Sequence, residues 1–181
     1  VDLDRIMREK HIPLFALESQ DPITEFDFLG ITIQYEMCYT NILQVLDLSG
    51  IPLYTKDRTM DDPFVVCGGP CTYNPEPIAD FFDLVYIGEG ETSYRELLDK
   101  YKEWKKMGKS RREFLEIAAT VDGIYVPSLY DVTYNPDGTI HAMVPNCETA
   151  PEKVKKQVVN DLTHTYYPEK PLVPYIKATQ D

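Results

Sequence analysis

A chain of 181 residues can bury one sizeable core and carry an appendage, but it is too short for two full domains. Its 43% hydrophobic and 27% charged residues are those of a soluble globular protein, and no apolar run approaches the ~20 residues a bilayer span needs. Thirty acidic residues against eighteen basic give a formal charge of −12, a field that repels phosphate backbones and anionic lipid surfaces, so direct nucleic-acid or membrane binding is not expected.

The first residues, VDLDRIMREKHIPLF, lack the basic start and apolar centre of a secretory signal and begin without methionine, which points to a cut or processed chain. Cysteines stand at 38, 67, 71 and 147 with no regular framework, as expected for reduced thiols of a cytoplasmic protein.

Strand and helix signals then alternate. Asp27 to Gln34 (DFLGITIQ) is a nearly continuous apolar run with β-branched members, the pattern of a strand covered on both faces. A helix is predicted next, capped by Thr40 or Asn41, with Ile42, Val45 and Leu46 as its buried stripe and Gly50 as its end. Pro63 to Cys67 (PFVVC) gives a second buried strand that runs into the sharp turn Gly68-Gly69-Pro70.

Glu76 to Phe82 fits a helical turn started by Pro77, and Leu84 to Ile87 a third strand ending in Gly88-Glu89-Gly90-Glu91. Ser93 with Glu96 resembles a capping box for a long helix whose Tyr94, Leu97, Leu98, Tyr101 and Trp104 repeat at helical spacing. A second box, Ser110 to Glu113, opens a helix carrying Phe114, Leu115, Ile117 and Ala118. The basic cluster Lys105, Lys106, Lys109, Arg111 and Arg112 falls between these helices and is predicted to be a solvated junction.

From residue 123 the period changes to two. Val132, Tyr134, Ile140, Ala142 and Val144 alternate around the turn Asn135-Pro136-Asp137-Gly138, a β-hairpin over residues 123–146. Residues 147–181 are rich in proline and charge and form an extended arm or linker. The alternation over residues 1–122 implies an α/β, mostly parallel sheet of Rossmann-like or flavodoxin-like type with flanking helices.

Ligands of such sheets bind beyond the carboxyl ends of the strands, which makes Gly68, Gly69, Gly88, Glu89 and Gly90 the candidate cleft. The glycines would let a backbone approach a ligand, or would only make tight strand-to-helix turns. Neither a Walker loop nor GxGxxG is present, and the carboxylates of Glu89 and Glu91 argue against phosphate, so an ordinary nucleotide-binding Rossmann enzyme is the weakest reading. Cys67 and Cys71 are spaced like the first two ligands of a CxxxCxxC cluster loop, but Asn74 stands in the third place; both are expected to be buried or half-buried thiols and not metal ligands. His11, His141 and His164 are dispersed, with no local catalytic partner.

Residues Phe26 to Leu53 followed by CGGPCTYNPEPIADFFDLVYIGEGE resemble the amino-terminal, cobalamin-binding-like region of a family of B12-type radical S-adenosylmethionine (SAM) proteins. The GGP...NPEP..D..D....GEGE pattern carries the resemblance, and GIYVPSLYDVTYNPDG and YYPEKPLVPYI resemble the family's connection to its catalytic barrel. The resemblance implies a parent enzyme using a [4Fe-4S] cluster, S-adenosylmethionine and cobalamin as a second cofactor. The barrel with CxxxCxxC, its partner in the same chain, is absent here, as is the DxHxxG signature that supplies a histidine to cobalt. The resemblance also implies a strand and helix ahead of residue 1, and hence an exposed sheet edge that a homodimer would cover. The expected role is an accessory cofactor- or substrate-positioning domain, catalytically silent as this chain; the alternative is a structural docking module with no small ligand.

Overall fold

The computed structural model describes residues 2–166 and 168–170. The first element, α1 (Asp2–Lys10), has Asp2 and Asp4 in its first turn and Arg8 and Lys10 in its last, both favourable to the helix dipole, and buries Met7. Among the described residues it is the one α-helix with no counterpart in the sequence reading, because Leu3, Ile6 and Met7 make a stripe too short to stand out.

The central sheet has the order β1 (Phe28–Thr32), β2 (Phe64–Gly68), β3 (Leu84–Tyr86), β4 (Ile124–Tyr125). The first three are parallel, with Ile31 beside Cys67 and Cys67 beside Val85, as the alternation requires. The short β4 adds antiparallel to β3. Two residues offer no periodicity, so this strand had no sequence signal of its own.

Every residue of β2 from Phe64 to Cys67 is buried, because the sheet is covered on both faces. Val65, Cys67 and Val85 pack toward Ile42 and Leu46 of α2 (Tyr39–Ser49) and toward Ile78 and Phe82 at the 3-10 segment Glu76–Phe81. On the other face Phe64, Val66, Leu84 and Tyr86 meet Leu97, Tyr101 and Trp104 of α3 (Tyr94–Met107) and Phe114, Leu115 and Ala118 of α4 (Arg111–Ala118). Neighbouring Phe64, Tyr101, Trp104 and Phe114 form an aromatic cluster with centroids 4.6–6.0 Å apart, mostly edge-on or tilted.

Helix α2 is entered through the 3-10 turn Glu36–Cys38, so its N-cap is Cys38, and Thr40 and Asn41 lie inside the first turn. Gly50 ends it in the left-handed conformation, as predicted. The capping box at Ser110 and Glu113 is formed, with both reciprocal bonds present. That at Ser93 and Glu96 is not: the buried Ser93 hydroxyl lies 2.7 Å from the Tyr86 hydroxyl and donates to the Asp122 carbonyl at 2.6 Å. Tertiary partners have taken the side chain that local capping would use.

At the basic junction Lys105, Lys106, Lys109 and Arg112 are exposed as expected, and Arg111 departs from the expectation. Arg111 reaches into the domain, donating to the Asp62 and Pro63 carbonyls, stacking 4.0 Å over the Phe64 ring and pairing with Asp83 at 3.0 Å. Asp83 is buried and also accepts from Arg58 at 2.7 Å and from the Val65 amide at 2.8 Å. The guanidinium of Arg58 donates three further bonds, to the Pro52, Leu53 and Phe81 carbonyls. This network ties the loop before β2, the start of β3 and the start of α4 together at the amino edge of the sheet.

A separate two-stranded sheet pairs β5 (Tyr130–Tyr134) with β6 (Ile140–Pro145), turned at Asn135 to Gly138; the hairpin is thus shorter than the predicted residues 123–146, because Ile124 and Tyr125 pair with β3 in the central sheet instead. Among the described residues no helix is long and apolar enough to cross a membrane.

Candidate functional site

The carboxyl ends of β1, β2 and β3 lie along one edge of the sheet, and the chain closes that edge on itself. After β2 the Gly68 carbonyl accepts from the Ile33 amide at 2.8 Å, and the Ile33 carbonyl in turn accepts from the Cys71 amide at 3.3 Å. Gly69, at φ 98°, passes so close that a Cβ would stand 2.8 Å from the Ile33 carbonyl oxygen. Only glycine permits that approach without a shift of backbone. Its carbonyl accepts the Thr72 hydroxyl at 2.7 Å, which holds the following turn.

After β3 the arm takes over. Gln157 pairs with Gly88 as an isolated parallel bridge: its amide donates to the Ile87 carbonyl at 3.0 Å, and its carbonyl accepts from the Glu89 amide at 3.1 Å. Gly88 lies at φ 113°, and a Cβ there would stand 2.6 Å from the Gln157 nitrogen. The Glu89 carboxylate accepts from the Val159 amide, and its carbonyl receives the hydroxyls of Tyr86 and Thr92, each at 3.0 Å. Lys156 sits 4.9 Å over the Tyr73 ring, carrying the arm back toward the turn after β2.

The five predicted residues are therefore at the ends of adjacent strands, with different surroundings. Gly68 and Gly69 face the backbone that leaves β1, and Gly88 and Glu89 hold the arm. Gly90 has room, with Tyr94 Cβ at 3.8 Å as its nearest neighbour, and it alone of the five lines an open groove of about 940 Å³ bounded by Tyr94, Arg95, Val159 and Asp161. Gln157 and Val159 were missed because the arm has no hydrophobic period that would announce a strand-like pairing.

A second, smaller cleft of about 340 Å³ lies between the Asn-Pro-Glu-Pro turn and the base of the hairpin, lined by Pro75, Glu76, Tyr125, Tyr130, Met143 and Glu152 among others. The Tyr125 hydroxyl donates to Glu76 at 2.7 Å; burial first, and the Glu76 carboxylate second, push the phenol well above its ordinary range. Tyr130 stacks 5.1 Å from Tyr125 and donates to the Pro151 carbonyl at 2.6 Å.

Cys67 is buried within β2, and burial pushes its thiol up to about 12. Cys71 is half-buried and also raised, by desolvation and then by Glu36 and Cys38. Among the described residues no group of three or more His, Cys, Asp or Glu is placed to hold a metal ion. The described residues do not fit a [4Fe-4S] cluster, which needs three or four thiolates together.

Toward cobalamin the strand-end glycines divide: Gly69 and Gly88 face Ile33 and Gln157, while Gly68 and Gly90 have open space. The exposed His11 lies beside the end of α2, at the opposite edge of the sheet, and His141 is on the hairpin. The side chain of His164 lies outside the described residues.

Three parallel strands covered on both faces, with glycine turns at their carboxyl ends, define a Rossmann-like α/β domain. The chain belongs to the radical SAM protein N-terminal family, whose model matches residues 1–127. An uncharacterized protein of Methanocaldococcus jannaschii is 37% identical over 89 residues, a stretch covering 48% of the chain and 18% of that relative. No solved structure matches the chain significantly.

Proposed function

We propose that the chain is an accessory domain that positions the catalytic part of a parent radical SAM enzyme, and that it performs no chemistry alone. The observation that carries this reading is the arm bridging Gly88 through Gln157: the segment leading away from the domain is fixed on the sheet edge where α/β domains place their ligands. In the parent, a [4Fe-4S] cluster with S-adenosylmethionine would supply the radical chemistry. What this chain's residues do is orient: Gly88 admits the arm, Glu89 anchors it at Val159, and Gly69 locks the neighbouring turn. Because the chain's own segments fill the space at Gly69 and Gly88, cobalamin is not part of the proposed role. A shift of the visible spectrum of hydroxocobalamin on titration with the chain would reverse that exclusion.

The test is Gly88→Ala in the full-length parent, assayed by 5′-deoxyadenosine formation with iron content measured in parallel. The positioning role predicts slower formation at unchanged iron content. Unchanged formation in a variant whose arm has become sensitive to protease would overturn it. Gly90→Ala separates this role from a small-ligand site, because position 90 has room for a methyl group. Loss of activity there at an unchanged melting temperature would favour a ligand in the adjoining groove.

A further inference from the structure

Among the described residues, nothing covers one apolar face of the hairpin. Val132 is paired with Met143 and Tyr134 with Ile140, and the register shift between Thr133 and Tyr134 sets His141 aside, so that all four side chains share a face. Tyr134 and Ile140 are each 65% exposed and Met143 40%. A two-stranded ribbon is marginally stable alone, so it is unusual for one to carry its apolar face in water. The same face continues through Tyr130 and Met143 into the tyrosine-walled cleft, whose rim carries Glu76 and Glu152.

We propose that this face and cleft together are the docking surface for the catalytic part of the parent, which presents an apolar patch and inserts one lysine or arginine between Glu76 and Glu152. The inference deepens the positioning role proposed above and rests on it. Apolar walls with carboxylates at the rim suit a side chain that has an aliphatic stem and a cationic head. The chain's charge of −12 favours a basic partner and disfavours a second copy of itself. The arm is tied to the hairpin base where Tyr130 donates to Pro151, so the polypeptide that leads onward passes beside this surface.

Oxidative footprinting with hydrogen peroxide and hydroxyl radicals tests it, comparing the full-length parent with the 181-residue chain. Exposed Met60 and Met107 serve as internal references and buried Met7 as the protected limit. Oxidation of Met143 and Tyr134 is expected to slow about tenfold in the parent while Met60 and Met107 are unchanged. The pair Tyr134→Lys and Ile140→Glu, opposite charges at directly paired, exposed positions outside the core, is expected to abolish that protection without lowering the melting temperature. Equal Met143 reactivity in parent and chain would overturn the proposal. So would Met143 protection already present in the chain alone, which would assign the surface to a second copy or to the chain's own end. Should Gly88→Ala impair radical formation while Met143 stays reactive in the parent, docking fails and the positioning role survives. If the parent is indifferent to both Gly88→Ala and the hairpin pair, both fall.

Discussion

Gly88 and Gln157 lie backbone to backbone, linked by Gln157 donating to Ile87 and Glu89 donating to Gln157 at 3.0 and 3.1 Å. Residues nearly seventy positions apart thus make a strand-like pairing at the end of β3. Gly123, at φ 86°, passes the same residue, since a Cβ there would stand 2.6 Å from Gln157 Cγ. Two glycines from different segments make room for one residue of the arm.

Gly88→Ala is therefore expected to release the arm. The left-handed conformation costs a non-glycine residue about 1–3 kcal/mol, and the clash with Gln157 adds to it. Limited proteolysis between residues 150 and 160 is expected to accelerate in Gly88→Ala and to stay at the parental rate in Gly90→Ala. Equal rates in the two variants would contradict this account of the edge.

Asp83 holds two guanidinium groups and the Val65 amide from a buried position. Asp83→Ala leaves Arg58 buried with its counter-ion gone, an arrangement that costs about 3–5 kcal/mol. Denaturant unfolding is expected to show a fall of that size in midpoint stability. Arg111→Ala is expected to cost less, because Arg58 then keeps its carboxylate. The reverse ranking would place the weight of the network on the helix contact instead.

The two serines ahead of helices α3 and α4 are expected to respond differently. Ser110→Ala removes a cap and is expected to cost about 1 kcal/mol. Ser93→Ala removes the partner of the Asp122 carbonyl and of the Tyr86 hydroxyl, groups of a buried network, with an expected cost of about 1–3 kcal/mol. Restoration by threonine at position 110, but not at position 93, would distinguish an open capping site from a packed one.

The Cys67 thiol, raised to about 12 by burial, gives a pH signature. A raised pKa means that the folded state holds its proton more tightly than the unfolded chain does. Its contribution to stability is complete below the ordinary thiol range near 9 and is lost as pH rises from there toward about 12. At pH 8, iodoacetamide is expected to label half-buried Cys38, Cys71 and Cys147 and to reach Cys67 only on unfolding. Native labelling of Cys67 at a rate matching Cys38 would show that β2 is open to solvent.

Local sequence was informative where one segment's chemistry was sufficient. The run PFVVC could only be a covered strand, Gly50 only a helix end, and Asn135-Pro136-Asp137-Gly138 only a turn; β2, α2 and the hairpin follow. The candidate residues at 68, 69, 88, 89 and 90 could be placed at strand ends from the same signals. What occupies their space could not, because Ile33 and Gln157 reach Gly69 and Gly88 through pairings that leave no periodic trace. Ser93 is the sharpest instance. Its spacing to Glu96 matches that of Ser110 to Glu113, yet the Tyr86 hydroxyl and Asp122 carbonyl, brought by β3 and the loop before β4, take it out of the cap.

By itself the sequence determined the α/β alternation, the parallel strands and the resemblance to radical SAM proteins, because hydrophobic period, glycine and proline placement and a dense motif are properties of contiguous residues. Tertiary structure alone decided that Asp83, the last aspartate of that motif, is buried between Arg58 and Arg111, and that two of the motif's glycines, Gly69 and Gly88, face the chain's own backbone. Ion pairs and backbone approaches between distant segments depend on where the folded core carries each one, and no spacing along the chain encodes that position.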